Sequence, residues 1–211
     1  MNRNKNLNIL NNTELWDLLV IGGGATGLGA ALDAASRGMK VLLIEKHDFS
    51  KGTSSKSTKL VHGGVRYLRN GEIGLVRKAL KERNILQRNA PHLVQNMTFI
   101  IPIYHWIHFL FYGIGLMIYD LIAGKKSFGK TLFLGKKRTL TKLNGLNMRS
   151  LKGGISYQDG QFDDSRFAIS LAQTIEKEGS TVINYLEFIS YSKKDGKGYE
   201  ILLQDKLQHT E

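Results

Sequence analysis

The sequence predicts an α/β fold that begins with a strand–helix–strand unit, and three observations carry that prediction. Residues 16–21 form an apolar run with the length of a buried strand. Residues 25–37 place apolar side chains at helical spacing, and Gly38 follows as a stop signal. Residues 41–45 form a second short apolar run, of the kind that is buried on both faces in a parallel sheet. This order is typical of parallel strands joined by a helical crossover.

Three glycines with the spacing G-x-G-x-x-G form the turn between the first strand and the helix. Gly22 lets the chain turn sharply, Gly24 leaves room for a pyrophosphate beside the backbone, and Gly27 lets the helix pack closely on the strand. The N–H groups at the start of the helix attract phosphates. Glu45 ends the second strand, 23 residues after Gly22, where a carboxylate accepts hydrogen bonds from ribose hydroxyls. The unit predicts an adenine dinucleotide site; the alternative is a glycine-rich turn in another kind of α/β protein.

Length and composition limit the classes of protein and of site. The 211 residues suit one or two domains with a hydrophobic core. The chain contains no cysteine, which excludes disulfides, zinc–thiolate sites and thiol redox chemistry, and we predict no metal. The net charge of +12 is compatible with nucleic acid, anionic lipid or an anionic substrate. Because no nucleic-acid motif is present, we expect no nucleic-acid partner and favour anionic lipid and a phosphorylated substrate.

The N-terminal residues 1–15 are rich in asparagine and contain few apolar side chains. They lack the apolar segment of a secretory signal. We expect a disordered lead-in and a cytoplasmic protein.

The middle of the chain contains a predicted helix and the most apolar segment. The helix covers residues 73–89 and is stopped by Pro91, and a strand is expected over 99–103. Residues 99–123 are long enough for a membrane span, which needs about 20 residues, but Pro102 and Asp120 interrupt them. Because such interruptions are costly in lipid, we favour a core or membrane-surface helix and keep a true span as the alternative.

The last third of the chain alternates strand and helix patterns. We predict a strand over 153–158, a helix over 166–178 capped by the polar residues before it, strands over 181–191 and 199–204, and a turn at Asp195 and Gly196.

A second polar constellation occupies residues 52–69. Its hydroxyls and small side chains supply hydrogen bonds without bulk, and its His62-Gly63-Gly64 turn lets the backbone approach a flat ring. Arg66 and Arg69 offer guanidinium groups for a phosphate. Taken alone, the segment is better explained as a flexible Ser/Thr/Lys surface loop.

Together these segments resemble the N-terminal part of the FAD-dependent glycerol-3-phosphate dehydrogenases, the respiratory, membrane-associated kind. The resemblance runs from about residue 16 to the end of the chain. It rests on Val-Ile-Gly-Gly-Gly-Ala-Thr-Gly (20–27), Glu-Lys (45–46) with Asp-Phe (48–49), Gly-Thr-Ser-Ser-Lys-Ser-Thr-Lys-Leu-Val-His-Gly-Gly-Val-Arg-Tyr-Leu (52–68), Asn-Ala-Pro-His-Leu-Val (89–94), Tyr-Gly (112–113) through Tyr-Asp-Leu (119–121) and Tyr-Gln-Asp-Gly-Gln-Phe-Asp-Asp-Ser-Arg (157–166).

The resemblance implies a role for each matched position. Arg66 and Tyr67 are expected to face glycerol 3-phosphate, and no catalytic base is assigned. The residues expected to bind FAD are Gly22, Gly24, Ala25, Thr26, Gly27, Glu45, Lys46, Thr53, Ser54, Ser55, Ser57, Thr58, Lys59, Leu60, His62, Gly63, Gly64 and Phe188.

The resemblance also implies an architecture and a setting. The expected fold is α/β, with a doubly wound, Rossmann-like FAD domain and the start of a substrate domain built on an antiparallel sheet. The expected boundaries are a lead-in over 1–15, the FAD domain over 16–90, the substrate domain over 91–178 with its apolar segment 99–123, and strands returning to the FAD domain over 179–211. Because the family is longer, the chain is expected to be a truncated, N-terminal fragment.

The implied reaction oxidises sn-glycerol 3-phosphate to dihydroxyacetone phosphate, with electrons passed to membrane quinone. The implied location is the inner face of the cell membrane, with peripheral attachment, and a homodimer is one assembly that the resemblance allows. Three alternatives stay open: another FAD-dependent oxidoreductase acting on an amine or hydroxy acid, a nicotinamide-dependent dehydrogenase, and a non-catalytic FAD-binding fragment.

Overall fold

The computed structural model describes residues 1–124, 127–194, 196 and 198–208; the side chains of Arg66 and Arg69 lie outside that description. The chain forms two compact units, Met1–Thr58 together with the residues from Asp164 onward, and Lys59–Asp163. The first half of the chain contains α1 (Arg3–Asn11), β1 (Leu18–Ile21), α2 (Ala25–Ser36), β2 (Val41–Glu45), a 3₁₀ turn (Thr53–Ser55), β3 (Leu60–Val61), α3 (Val65–Arg69), α4 (Ile73–Asn89) and β4 (Val94–Ile103). The second half contains α5 (Trp106–Ala123), β5 (Leu132–Gly135), α6 (Lys136–Lys142), β6 (Gly153–Phe162), α7 (Asp164–Lys177), β7 (Thr181–Asn184), β8 (Leu186–Lys194) and β9 (Gly198–Asp205).

The first unit is built on a parallel sheet with strand order β1-β2-β7. The central strand β2 is apolar at four successive positions because both of its faces are covered. On one face, Val41 and Leu43 pack with α2 and α7 through Leu28, Ala172 and Ile175. The predicted α/β class and the predicted strand–helix–strand unit are confirmed.

The other face of this sheet is covered by α1, which corrects the prediction of a disordered lead-in. Leu7 and Leu10 pack against the cluster that contains Leu42 and Ile44. The Asn6 side chain is buried and donates a hydrogen bond to the Val182 carbonyl over 2.9 Å. The asparagine-rich composition suggested solvation, but in the folded unit a tertiary hydrogen bond satisfies the buried Asn6 amide.

The predicted strand over 181–191 is two strands in the structure. The chain turns at Tyr185, whose φ is +53°, so β7 ends the parallel sheet and β8 starts an antiparallel hairpin with β9. The hairpin pairs Leu186 with Asp205 and contains an irregularity between Phe188 and Ser190. Asp195 of the predicted turn lies outside the described residues.

The second unit is built on an antiparallel sheet in which β6 pairs with β3, β4 and β5. The β4–β6 ladder joins ten residue pairs, from Val94–Phe162 to Ile103–Gly153, and both strands are longer than predicted. The helix α4 has the predicted bounds and packs Val76 and Leu80 against Tyr119 of α5.

The boundaries between units differ from the predicted domain boundaries at 90/91 and 178/179. They fall at 58/59 and 163/164. The reason is packing: α4 joins the second unit through its contacts with α5, whereas α7 joins the first unit through its contacts with α2. Sequence spacing located these helices correctly but did not reveal which sheet each one covers.

The helix α5 contains most of the apolar segment. Gly113, Leu116, Tyr119 and Ala123 are buried against the second unit. Six of its other large apolar residues form an exposed surface, which we name the α5 apolar face: Trp106, Ile107, Leu110, Ile114, Met117 and Leu121. Among the described residues, α5 is the one helix whose length and composition would allow it to cross a membrane.

Candidate functional site

The glycine turn of the first unit joins β1 to α2. Gly22 has a φ of +113°, which a side chain would disfavour, and its N–H donates to the Ile44 carbonyl over 2.8 Å. A Cβ on Gly27 would lie 2.0 Å from the Gly22 carbonyl oxygen, so α2 approaches the strand as closely as it does only because residue 27 is glycine. These are the two backbone requirements that the sequence motif predicts.

The N-terminus of α2 presents backbone donors at this turn. Gly24 is the N-cap and supplies no side-chain cap. The Ala25 N–H donates to the Ser54 hydroxyl over 2.9 Å. Among the described residues, no acceptor forms a hydrogen bond with the N–H groups of Thr26 and Gly27. Such donors, at the positive end of a helix dipole, suit an anionic phosphate.

Glu45 is placed at the turn, as predicted, but part of its hydrogen-bonding capacity is already used. One carboxylate oxygen accepts from the Gly23 N–H over 2.8 Å, and the other accepts from the His47 N–H over 2.8 Å. Since each oxygen has a further lone pair, ribose hydroxyls remain acceptable partners. Glu45 therefore also holds the glycine turn in place.

Gly23 was missed by the sequence analysis. A Cβ there would lie 2.6 Å from the Phe49 ring and 2.9 Å from the Glu45 Cβ. Ser50, which is buried with a φ of +64°, donates its N–H to the Gly23 carbonyl over 2.9 Å. Gly23 occupies a position that the G-x-G-x-x-G spacing leaves open to any residue. The run of three consecutive glycines was therefore the signal that could have identified it.

The other predicted positions of the first unit surround this turn less closely. Ser57 donates to the Asp164 carboxylate, and Phe188 packs on the sheet face that contains Ile44. Ser55 is half-buried. The side chains of Lys46, Thr53 and Thr58 are exposed. Ser54 is thus the residue of the polar segment that the structure brings directly onto the helix N-terminus.

The second predicted group lies in the second unit, around the His62-Gly63-Gly64 turn. Lys59 has a φ of +59°, and its carbonyl accepts from the Phe162 N–H over 3.0 Å. Gly64 has a φ of +75° and donates its N–H to His62 Nδ1 over 3.0 Å. Leu60 is half-buried, whereas His62 is exposed.

The substrate-facing positions predicted for this group lie on α3, which starts directly after Gly64. Tyr67 is exposed on the first turn of this helix. The side chain of Arg66 lies outside the described residues.

A buried polar network lies beneath this second turn, and the sequence analysis did not identify it. The Tyr119 hydroxyl accepts from the Gly63 N–H over 3.0 Å and donates to the Asp159 carboxylate over 3.1 Å. Arg83 Nη1 donates to Asp159 over 2.7 Å and to the Tyr119 hydroxyl over 3.3 Å. Burial and the Asp159 charge raise the pKa of Tyr119 well above its ordinary value. The helical spacing of Val76, Leu80 and Arg83 was the signal that could have predicted a buried Arg83, since the three residues share one face of α4.

The described residues offer apolar space but no metal site. A cavity of about 960 Å³ in the second unit is lined by Val65, Ile101, Phe111, Leu116 and Tyr157, among others. Among the residues that the structure describes, no three histidine or acidic side chains converge as metal ligands.

Comparison with known proteins identifies the family. The family model for FAD-dependent oxidoreductases matches residues 17–210. The chain is 43% identical over 199 residues to the mitochondrial glycerol-3-phosphate dehydrogenase of Macaca fascicularis, a match that covers 91% of this chain and 27% of that protein. It is 45% identical over 188 residues to the mitochondrial glycerol-3-phosphate dehydrogenase of Saccharomyces cerevisiae, covering 86% of this chain and 29% of that protein.

A solved structure extends the comparison. The glycerol-3-phosphate dehydrogenase from Bacillus halodurans, complexed with FAD, matches with a TM-score of 0.72 and 33% identity, over 99% of this chain and 34% of that chain. The resemblance inferred from the motifs is confirmed, and the chain spans only part of the length of each relative. Because the family match covers nearly the whole chain, the chain belongs to the family of FAD-dependent oxidoreductases.

Proposed function

We propose that this chain binds FAD and holds its ADP half at the Gly22–Gly27 turn. The observation that carries the proposal is the N-terminus of α2, where Gly24 leaves the backbone uncovered and the N–H groups of Thr26 and Gly27 face no protein acceptor among the described residues. These donors suit the pyrophosphate, and the spare lone pairs of Glu45 suit the ribose. FAD, when bound, supplies the electron-accepting chemistry that no protein side chain offers.

We propose sn-glycerol 3-phosphate as the substrate, with dihydroxyacetone phosphate as the product. The relatives that match this chain at 43% and 45% identity carry the name glycerol-3-phosphate dehydrogenase. Oxidation at C2 removes two electrons and two protons from the secondary alcohol; the C2 hydrogen would pass to bound FAD as a hydride, and a base would accept the hydroxyl proton. In this proposal Arg66 neutralises part of the phosphate charge and Tyr67 contacts the substrate, while the base belongs to the part of the relatives that this chain does not span.

We propose that the protein attaches peripherally to the inner, cytoplasmic face of the cell membrane through the α5 apolar face. An apolar helix in the core of a soluble protein is mostly buried, whereas only 22% of α5 is buried and Leu121 is 81% exposed. Because Leu116 and Tyr119 anchor the opposite side of α5 in the second unit, the helix would lie along the lipid surface rather than cross it. The net charge of +12 favours anionic headgroups.

A membrane quinone is the proposed electron acceptor. The apolar cavity of about 960 Å³ lies beside α5 and includes its residues Phe111 and Leu116. An apolar acceptor dissolved in the bilayer would meet the protein on this side.

The first experiment adds FAD to purified chain 1–211, removes free flavin and records the visible spectrum before and after anaerobic glycerol 3-phosphate. A yellow protein that the substrate bleaches supports both binding and oxidation. A yellow protein that is not bleached supports FAD binding but contradicts oxidation of glycerol 3-phosphate by residues 1–211 alone, which favours a non-catalytic fragment or another FAD-dependent oxidoreductase. A folded, colourless protein contradicts FAD binding by this chain.

A matched pair of variants tests the site. Gly24→Val adds bulk at the helix N-terminus, where a Cβ already lies 3.1 Å from the Ser54 hydroxyl, and should abolish FAD retention. Gly29→Val adds the same side chain at an exposed position of α2 with nothing within 4 Å, and should retain FAD. A Gly24→Val protein that stays yellow would remove the pyrophosphate from this turn.

Vesicle co-sedimentation tests the membrane proposal. Leu121→Asp should reduce binding to vesicles rich in phosphatidylglycerol, whereas Leu15→Asp, at a 66% exposed position of the first unit, should not. Equal binding of the two variants would exclude the α5 apolar face as the attachment surface.

A further inference from the structure

Four segments that are distant in sequence meet at one hydroxyl group in the second unit. The Tyr119 hydroxyl accepts from the Gly63 N–H and from Arg83 Nη1, and it donates to Asp159. A tyrosine hydroxyl has one donor and two acceptor sites, so all three are used. The Asp159 carboxylate, in turn, accepts from Arg83 over 2.7 Å and from the Gly160 N–H over 3.0 Å.

The contact with Gly63 is possible only because that residue has no side chain. A Cβ there would lie 2.2 Å from the Tyr119 hydroxyl and 2.4 Å from Leu80 Cδ2. The glycine is therefore required on the protein side of the turn. This gives a reason for Gly63 other than the close approach to a flat ring that the sequence suggested.

Stability alone is a weak explanation for this arrangement. The side chains of Arg83 and Asp159 are 1% and 4% exposed, and a buried ion pair is often no more stable than an apolar replacement of the same shape. What a buried polar network does add is a defined geometry, because each hydrogen bond restricts how its two partners can be arranged. The geometry that it fixes here is that of the Gly63 backbone.

The turn fixed in this way positions two predicted site side chains, those of His62 and Tyr67. Gly64 follows Gly63 in the left-handed conformation, opens α3 and bonds to His62. A Cβ on Gly64 would lie 2.4 Å from the Tyr67 ring, so the ring packs directly over that glycine. A shift of the Gly63 backbone would be passed to both His62 and Tyr67.

We propose that Tyr119, Arg83 and Asp159 are positioning residues, which act through the Gly63 N–H to set the His62-Gly63-Gly64 turn for the flavin and substrate. The inference rests on the proposed function, since it assumes that this turn lines the cofactor site. None of the three residues is proposed to touch the substrate.

The test compares Tyr119→Phe with Tyr112→Phe in the chain 1–211. Tyr119→Phe keeps the ring and removes the hydroxyl, whereas Tyr112→Phe removes a hydroxyl from the exposed side of the same helix. Amide hydrogen exchange at Gly63 is measured by NMR, together with FAD affinity and the flavin absorption spectrum. For Tyr119→Phe we expect exchange at Gly63 to rise about tenfold, as the loss of one buried hydrogen bond implies. We expect weaker FAD binding and a shifted spectrum, with the β4–β6 amides unchanged.

The other outcomes show whether the positioning role, its link to the cofactor site or the proposed FAD binding is wrong. Unchanged exchange at Gly63 overturns the positioning role, and so does equal acceleration throughout the second unit, which would mark a purely stabilising network. Faster exchange at Gly63 with unchanged flavin affinity and spectrum overturns the link to the site. If Tyr119→Phe does not fold, Asp159→Asn, which keeps the shape of the carboxylate, is measured in the same way and should show the same local acceleration. A wild-type chain that takes up no FAD contradicts the proposed function instead, and the exchange at Gly63 then decides the positioning of the turn by itself.

Discussion

The two glycine turns of this molecule use the same residue type in opposite ways. In the first unit, the turn around Gly24 presents backbone N–H groups that the described residues leave open. In the second unit, Gly63 is buried and its N–H is held by a tyrosine hydroxyl within a charged network. The first turn is shaped for an external anion, whereas the second is fixed from within. The difference teaches that a glycine in a cofactor-binding motif can be required by the protein interior as much as by the ligand.

The largest effect is expected where the clash is with backbone. Gly27→Ala would place a Cβ 2.0 Å from the Gly22 carbonyl oxygen, which no side-chain rotation relieves. The helix α2 would have to move off the strand, and we expect a loss of about 3 kcal/mol or more in the free energy of unfolding. Gly29→Ala, in open space on the same helix, should instead be neutral or slightly stabilising. Urea unfolding compares the two, and equal midpoints would show that close approach at Gly27 is unimportant.

The second turn should be damaged less, because its clash is with side chains. Gly63→Ala meets the Tyr119 hydroxyl and Leu80, and overpacking of this kind costs about 1–3 kcal/mol. Combining it with Tyr119→Phe removes one of the two clashing groups, so the double variant should be more stable than the sum of the single effects predicts. Strict additivity in the double-mutant cycle would contradict the contact between Gly63 and Tyr119.

The sequence predicted the first turn far better than the second. The reason is that the first turn is formed by residues close in sequence, whereas the second depends on residues that are far apart in sequence. Gly22, Gly27 and Glu45 belong to one local strand–helix–strand unit, whose spacing is a direct consequence of its geometry. Gly63 depends on Arg83, Tyr119 and Asp159, which come from three further elements. No spacing rule connects them.

The same limit explains the errors in the fold. The α1 helix was missed because its buried asparagine, Asn6, bonds to a strand far along the chain, donating to the Val182 carbonyl 176 positions later. The unit boundary was misplaced because the pattern of α4 predicts a helix but not which sheet it covers. Local propensity determines where helices and strands form. Contacts with residues distant in sequence determine which sheet each helix covers.

Alkaline pH should lower the free energy of unfolding through a group of the second unit, the Tyr119 phenol. The pKa of the Tyr119 phenol is raised by burial and by Asp159, so the folded state keeps its proton when the unfolded state, with an ordinary pKa of about 10, has lost it. This contribution is complete below pH about 10 and is lost above it, by up to about 1.4 kcal/mol per pH unit. Urea unfolding of wild type and Tyr119→Phe, from about pH 8 to about pH 11 on either side of the ordinary phenol pKa, measures this contribution to the free energy of unfolding. The variant should lack this component, and parallel pH curves for the two proteins would contradict it.

The smallest effect on the first turn is expected from the contact that anchors α1. Arg3 bonds to Asp205 over 2.9 Å and to the Asn184 carbonyl over 3.0 Å, at the end of the same sheet that carries the turn. Burial opposes ionisation of Asp205, but hydrogen bonds from Arg3 and from backbone N–H groups hold the pKa of its carboxyl below the ordinary value. A lowered pKa gives stability at neutral pH that is lost as the pH falls towards the folded-state value.

Arg3→Ala should therefore speed amide exchange in α1, by roughly tenfold if one charge-assisted hydrogen bond is lost, and should remove the acid sensitivity of that exchange. Arg37→Ala is the matched control, because the Arg37–Asp33 pair is solvent-exposed and its removal should change nothing measurable. FAD retention should survive both changes, since Gly22 is held by β2 through Ile44 rather than by α1. Loss of flavin in Arg3→Ala but not in Arg37→Ala would mean that the outward-facing turn, like the buried one, depends on a distant charged contact.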